Sequence, residues 1–293
     1  EKEIYDLRKQ KINFLNELTS NSFPTKFNES VKVADVIKEH SEIKDGEHTG
    51  VNVSIRGRIL NARSFGKLLF YDLLDQSGKI QLLINSGEID ELYLKLFENF
   101  DIGDIIAVNG EIIKTKKGEL SIKVNETTIL SKSLRTLPEK WHGLKDKETR
   151  FRQRYLDLIV NPESKRILQT RSNVVRLLRE YLHATEFIEV ETPILQSKAG
   201  GAIAKPFQTH HNALNLDMYL RIAPELYLKR LVIGGFEKVF EIGKIFRNEG
   251  IDQTHQPEFT MLESYQAYAD MNIVMDMVED MCEYVFDNLE INK

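Results

Sequence analysis

The sequence of 293 residues contains little of what secreted and membrane proteins need. Its single cysteine, Cys282, excludes an intrachain disulfide and a thiolate metal site, and it favours a reduced, cytoplasmic setting. Apolar runs fall short of the roughly 18 residues of a membrane span, and the N-terminus shows no signal-peptide pattern, so neither a membrane protein nor a secreted one is expected. Because Cys282 lies in an apolar helical context, it is expected to be a small buried residue.

Strong charge of either sign is also lacking. The sequence has 40 lysines and arginines against 45 aspartates and glutamates, which gives a net charge of −5. This value does not indicate a nucleic-acid binder, although a local basic face would be enough for one. The length suffices for two domains with a sizeable core.

The N-terminal half combines one helical stretch with five runs of β-strand character. Strands are predicted at 51–58, 66–74, 78–85, 105–114 and 120–130, with the helix at 89–97. Three strands, a helix and two strands is the order of the OB-fold, a small barrel that often binds single-stranded nucleic acid. Arg63 and Phe70 are placed for such binding, but Phe70 could equally lie in the core.

We divide the chain into four segments. These are a helical arm (1–30), the barrel (31–135), a charged linker (136–163) and a second domain (164–293). The arm carries a mostly hydrophobic stripe, which either packs on the barrel or touches a nucleic acid. The stripe is formed by Ile4, Leu7, Lys11, Phe14, Leu15 and Leu18. The linker is a solvated segment, an ion-pair surface or a second nucleic-acid contact.

The second domain begins with a helix at 164–185 and a strand at 187–191, which form either a dimer surface or an intrachain contact. Strands at 207–211 and 217–222 and a helix at 226–233 follow. A final helix at 273–289 has a stripe expected in the core, formed by Met275, Met277, Met281, Tyr284 and Phe286.

Between those last two helices, residues 240–265 predict two antiparallel strands joined by a long loop. A loop that only reversed the chain would need two to five residues. This one carries Arg247, Glu249 and His255, with Phe259 just behind them. A guanidinium, a carboxylate, an imidazole and an aromatic ring can together hold a nucleotide.

Several stretches resemble the class II aminoacyl-tRNA synthetases. The run FRNEG at 246–250 and the run HQPEFT at 255–260 are similar to their motif 2, and residues 164–193 are similar to motif 1. An OB-fold on the N-terminal side narrows the resemblance to the aspartate, asparagine and lysine enzymes. Four stretches resemble the lysyl-tRNA synthetases in particular, at 150–158, 199–202, 218–229 and 247–251. The resemblance implies a multidomain α+β chain, in which an OB-fold β-barrel precedes a partial antiparallel sheet flanked by helices.

The resemblance also implies substrates and roles. The reaction would use ATP to join lysine to its tRNA. Arg247 would be the catalytic residue, holding the α-phosphate of ATP and the substrate carboxylate. The ATP-binding residues would be Arg247, Glu249, His255 and Phe259. Because lysine carries two ammonium groups, its pocket needs carboxylates, and the implied pocket consists of Gly201, Ala223, Glu225, Arg247, Glu263 and Tyr265. The implied anticodon contacts are Arg63, Phe70, Gln81 and Glu119.

The sequence departs from the family pattern in two ways. Gln256 stands where the family usually has asparagine. Motif 3 is not present, so we expect the chain to be the N-terminal part of a synthetase, with the Mg²⁺ ligands in the missing part and no metal ligands of its own. A homodimer through 164–193 is expected. The alternatives are a fragment that binds tRNA or a partner without catalysis, and a relative that transfers lysine to a protein, although such relatives lack the barrel.

Overall fold

A computed structural model describes residues 2–20, 22–27, 30–138 and 144–289. The chain forms two compact units, 1–161 and 162–293. Across the described ranges, no helix is both long enough and apolar enough to cross a membrane.

The first unit is built on a closed five-stranded barrel with the strand order β1-β2-β3-β5-β4. Its strands are β1 (His48–Phe65), β2 (Leu68–Leu74), β3 (Lys79–Asn85), β4 (Ile105–Lys114) and β5 (Leu120–Ser131). Its helices are α1 (Lys2–Leu18), α2 (Val33–His40), α3 (Glu91–Asn99), α4 (Lys147–Arg152) and α5 (Arg154–Val160). Since α3 lies between β3 and β4, the predicted OB-fold order is confirmed.

Alternation along each strand separates the core of the barrel from its outer face. In β3, Ile80, Leu82 and Ile84 are buried in the core, whereas Gln81 between them is only partly covered. The same alternation in β2 buries Tyr71 and Leu73 and leaves Phe70 on the other face. The ring of Phe70 is therefore not part of the barrel core.

Helix α1 packs against the barrel through only part of the predicted stripe. Leu15 is fully buried, but Ile4, Leu7 and Phe14 are all more than 40% exposed. Instead Arg8 is buried, and its Nη1 donates to the carbonyl of Ser133 at 2.8 Å. The predicted stripe is therefore partly right, since Leu15 and Leu18 pack on the core. The charged side chain of Arg8, with its backbone acceptors, fills the rest of the contact.

Part of the predicted linker, residues 139–143, lies outside the described residues. The rest contains α4 and α5, which meet at the buried carboxylate of Asp157. Arg150 donates to this carboxylate at 2.6 Å, Asn161 does so at 2.7 Å, and Arg154 pairs with its other oxygen. These charges are bound to one another within the unit.

The second unit contains two small sheets and three helices among the described residues. Its helices are α6 (Pro162–Ala184), α7 (Glu225–Ile233) and α8 (Met271–Asn288). Its strands are β6 (Ile188–Glu189), β7 (Leu195–Gln196), β8 (Gln208–His211), β9 (Leu216–Leu220), β10 (Lys238–Phe246) and β11 (Glu258–Gln266). The sheets have the orders β11-β10-β6 and β7-β9-β8. β6 is shorter than predicted and joins β10 in parallel.

One face of the β10–β11 hairpin is covered by α6 and α8. Phe240 on that face is fully buried against Leu182 and Phe187, with Met281 of α8 beside them. The predicted stripe of α8 is only partly right, because Met275 is 53% exposed and Phe286 is 74% exposed. Cys282 is also exposed, which contradicts its expected burial.

Candidate active site

The opposite face of the hairpin is polar and forms the centre of the site. β10 and β11 pair with Glu241 directly across from Glu263, so alternation places both carboxylates on one face. Val239 pairs with Tyr265 on the same face, two positions along. The strand pairing thus brings two acidic side chains and a tyrosine together on the side away from the helices.

Glu263 is a half-buried carboxylate whose Oε2 accepts a hydrogen bond from the Tyr265 hydroxyl at 3.2 Å. Burial raises the pKa of Glu263, and the nearby negative charges of Glu225 and Glu241 raise it further, against the lowering effect of Arg247. The pKa of Tyr265 is also raised, by burial and then by the Glu263 charge. The environment of Glu263 is therefore acidic and partly dehydrated, as a site for a cation would be.

Glu241 is bound differently, because a buried guanidinium neutralises it. The side chains of Arg221 and Glu241 are only 2% and 5% exposed, and Nη1 of Arg221 pairs with Oε1 of Glu241. The second oxygen of Glu241 accepts from the Thr192 hydroxyl at 2.6 Å. Arg221 also donates from Nε to the carbonyl of Lys244 at 2.9 Å. The three side chains of Thr192, Arg221 and Glu241 form one cluster, named the Arg221 cluster below.

The Arg221 cluster depends on a glycine. A Cβ atom added to Gly243 would lie 2.1 Å from Nη2 of Arg221 and 3.1 Å from Oε1 of Glu241. The guanidinium thus occupies the space that any other residue at 243 would fill. Residue identity at this one position decides whether the buried pair can form.

Gly201 closes the site from another loop. Its φ is +87°, a conformation that favours glycine, and an added Cβ would lie 2.9 Å from Cβ of Glu225 and 3.2 Å from Cβ of Ala223. Glu225 begins α7 and accepts from Lys229 at 2.6 Å. The three predicted residues Gly201, Ala223 and Glu225 therefore lie together, beside the pocket that contains Glu263.

Arg247 follows β10 and lies near other residues that were predicted to bind ATP. Its guanidinium lies 5.2 Å from the ring centre of Phe259, a cation–π distance. Its Nε points to the carbonyl of Ile222 at 3.5 Å. Glu249 accepts from the backbone of Lys205 at 3.3 Å. Arg247 and Phe259 thus form a positively charged, flat surface within reach of Glu263.

His255 belongs to the exposed loop between the strands. Its Nδ1 lies 2.7 Å from Oδ2 of Asp252. Hydrogen bonds from the backbone of Thr254 and from the His255 side chain are the main cause of a strongly lowered Asp252 pKa. No described contact joins His255 to Arg247 or Glu263. The structure therefore brings the other predicted residues of this unit into one region, and it leaves His255 on an ordered loop at the rim.

Sequence reasoning missed the Arg221 cluster. Arg221 follows an alternating strand, and Glu241 stands among apolar residues in the run VFEIG. An acidic residue at an inward position of a strand is the signal that could have revealed it, since such a charge needs a buried partner.

On the barrel, three of the four predicted contact residues share the outer face. Arg63 pairs across the strands with Phe70, and Asp72 pairs with Gln81. Arg63 donates to Asp72 at 3.3 Å, and Gln81 accepts from the Ser121 hydroxyl at 3.0 Å.

Two further residues complete this outer face. Phe65 is 67% exposed, and its ring centre lies 6.1 Å from that of Phe70. Glu119, exposed, precedes β5 at the edge of this face, where its carbonyl accepts from the Ser121 hydroxyl at 3.2 Å. An exposed ring and a partly exposed ring beside a guanidinium are a suitable surface for stacking bases.

Within the described ranges, no three His, Cys, Asp or Glu side chains are grouped so that they could hold a metal ion.

Comparison with known proteins matches both units. Residues 146–293 match the family model described as tRNA synthetases class II (D, K and N), and residues 53–130 match that of an OB-fold nucleic acid binding domain.

Three curated relatives carry the name lysine–tRNA ligase. The protein from Clostridium kluyveri is 50% identical over 96% of this chain and 55% of its own length. That from Clostridium botulinum strain Hall is 49% identical over 99% of this chain and 57% of its own length. That from Moorella thermoacetica is 48% identical over 97% of this chain and 57% of its own length. The chain thus spans little more than half the length of these relatives.

Proposed function

Because the chain belongs to the class II tRNA synthetases of the D, K and N group, we propose that it carries the amino-acid pocket and anticodon barrel of a lysine–tRNA ligase. The activity is the formation of lysyl-adenylate from lysine and ATP, followed by transfer of lysine to the 3′ end of its tRNA. The observation that carries the proposal is the closeness of the two carboxylates Glu225 and Glu263 to each other and to Arg247.

The charges of this pocket suit lysine better than aspartate or asparagine, the amino acids used by the other enzymes of the group. Lysine presents two ammonium groups, and Glu225 with Glu263 provides one carboxylate for each. We assign the α-ammonium to Glu225 and the side-chain ammonium to Glu263, with Tyr265 holding Glu263. Gly201 lets the backbone approach the ligand, while Ala223 forms part of the wall. A pocket for aspartate would need cations in place of Glu263.

Activation requires the lysine carboxylate to attack the α-phosphate of ATP, with pyrophosphate leaving. Such a step needs stabilisation of negative charge more than a base. Arg247 can supply this charge, since its guanidinium lies beside Phe259, on which adenine would stack. We assign Glu249 to the adenine or ribose side and His255 to the triphosphate. Mg²⁺, which ATP chemistry in this family implies, would need ligands outside the described residues.

The function is tested by lysine-dependent exchange of labelled pyrophosphate into ATP. The assay compares the chain with a chimera, in which the unmatched part of the Clostridium botulinum relative completes it. Exchange with lysine, and none with aspartate or asparagine, is the expected result for the chimera. Exchange driven by aspartate or asparagine would contradict the proposal. Binding of tRNA by a chimera that lacks all exchange would favour the alternative, a tRNA-binding fragment without catalysis.

The barrel is proposed to bind the anticodon through Arg63, Phe70, Gln81 and Glu119. Replacing Phe70 by alanine is expected to weaken tRNA binding about tenfold, because base–aromatic stacking contributes roughly 1 to 3 kcal/mol per base. Fluorescence titration of a tRNA anticodon stem-loop for lysine measures the effect. Phe286→Ala removes an exposed ring in the other unit and serves as the control. Equal binding by both variants would contradict the role of Phe70.

The remaining assignments follow from the same proposal. The partners are lysine, ATP and the tRNA for lysine, in the cytoplasm. A homodimer through 164–193 would use α6 and the short strand that follows it. The four-segment division at 1–30, 31–135, 136–163 and 164–293 is retained as the domain proposal.

A further inference from the structure

The cross-strand pair of Glu241 and Glu263 poses an electrostatic problem. Two carboxylates face each other on one side of the hairpin, and the charge of Glu241 raises the pKa of Glu263. Glu225 of α7 adds a third negative charge near Glu263. A pocket that binds an ammonium group needs Glu263 to be ionised. The charge of one neighbouring carboxylate must therefore be neutralised by a group that does not itself bind Glu263.

The Arg221 cluster provides this neutralisation. Both oxygens of Glu241 are engaged, one by Arg221 and one by the Thr192 hydroxyl at 2.6 Å. The guanidinium is fixed in turn by the carbonyl of Lys244 at 2.9 Å and by that of Thr192 at 3.2 Å. Among the described contacts, Glu263 accepts only from Tyr265, which leaves its second oxygen for a ligand.

We propose that Arg221 and Glu241 are positioning residues for the amino-acid pocket, which cancel each other's charge so that Glu263 alone presents a negative charge to the ligand ammonium on this strand pair. This inference rests on the proposed function, since it assumes an ammonium ligand. The charged and titratable groups around Glu263 are Tyr265 on its own strand, Glu241 on β10, Arg247 after β10 and Glu225 on α7. Neither Arg221 nor Glu241 touches the ligand in this arrangement.

The test is lysine affinity as a function of pH, measured by calorimetry on the chimera. Arg221→Met leaves Glu241 uncompensated, so the midpoint, the pH below which more than half the affinity is lost, is expected to rise by about one unit. Binding is then expected to be about tenfold weaker at pH values below the wild-type midpoint, with little change well above it. Glu241→Gln leaves Arg221 uncompensated, so that midpoint is expected to fall while binding weakens. The double variant Arg221→Met/Glu241→Gln is expected to regain the wild-type midpoint and most of the affinity.

The signs of these shifts separate the possible outcomes. The inference would be overturned if the single variants lost affinity without opposite shifts of the midpoint. It would also be overturned if the double variant lost as much binding free energy as the two single variants together. In either case the cluster would have only a structural role. Arg221→Lys keeps the charge and is expected to keep the wild-type midpoint even where folding of Arg221→Met fails. Wild-type protein that does not bind lysine at any pH would contradict the proposed function instead, independently of every variant.

Discussion

Glu263→Gln is expected to weaken lysine binding by roughly 100-fold, because loss of one partner of a buried charge pair costs about 2 to 5 kcal/mol. The substitution keeps the size of the side chain and can keep the Tyr265 hydrogen bond. It removes only the negative charge that would meet the side-chain ammonium. Calorimetric titrations of the chimera with lysine and, separately, with ATP measure the effect, and ATP affinity is expected to stay within about twofold.

The matched control for this substitution lies on the same strand. Glu258→Gln removes a carboxylate that is exposed and pairs with Lys244 at 3.1 Å, at the other end of β11. It lies on the opposite face of the hairpin, so lysine binding should be unaffected. Equal losses of lysine and ATP affinity in Glu263→Gln would contradict the assigned role and indicate a general disturbance of the site.

Gly243→Ala is expected to lower the free energy of unfolding of the second unit by about 3 to 5 kcal/mol. The added methyl group would overlap the guanidinium of Arg221, which is buried and paired with Glu241. Displacing it leaves the Glu241 carboxylate buried without its cation, and that is among the most costly single changes in a protein interior. Urea unfolding followed by circular dichroism measures the difference.

Gly250→Ala is the control for this prediction. Nothing lies within 4 Å of a Cβ atom at 250, in the loop after the same strand, so its effect should stay within about 0.5 kcal/mol. Unfolding curves of Gly243→Ala that coincide with those of Gly250→Ala would show that the guanidinium has another place to go. The Arg221 cluster would then be less tightly fixed than its distances indicate.

The barrel could be predicted from sequence because its strands are amphipathic in a simple way. Each strand alternates between the core and the outer face, so the order of the strands and most of their bounds followed from hydrophobicity and turn residues. The first strand is longer than its predicted range of 51–58, and α2 was not predicted. The orientation of Phe70 could not be predicted, since Leu69, Tyr71 and Phe70 are all apolar. Pairing with β3 decided it, by placing Tyr71 opposite a core position and Phe70 opposite a surface one.

The helices were harder to predict in detail. In α1 and α8, the hydrophobic residues suggested which side is buried, but Phe14 and Phe286 are exposed while Arg8 is buried. A helix buries the face that its neighbours require, and the neighbours are not visible in the helix sequence. The same reason applies to Arg221, whose partners Thr192 and Glu241 lie 29 and 20 residues away.

In the candidate site too, some features could be predicted from the sequence and others required the structure. Arg247 in the loop and Phe259 just behind it stood out because such chemistry is rarely needed in a turn. The guanidinium of Arg247 is within cation–π distance of the Phe259 ring. The relation between Glu241 and Glu263 required the register of the hairpin, which is fixed by nine residue pairs and by the apolar face beneath them. A slip of one strand by one residue would have turned its carboxylate toward the helices and separated it from the other.

The three-stranded sheet of the second unit also has a consequence for assembly. β11 is the terminal strand in the order β11-β10-β6, so within the described residues its nine-residue outer edge has no strand partner. A long, free edge of backbone donors and acceptors is a template for another strand. Whichever strand docks there, from the same polypeptide or a second molecule, extends the sheet beside Glu263 and so helps to decide whether the protein stays soluble or aggregates through β-pairing.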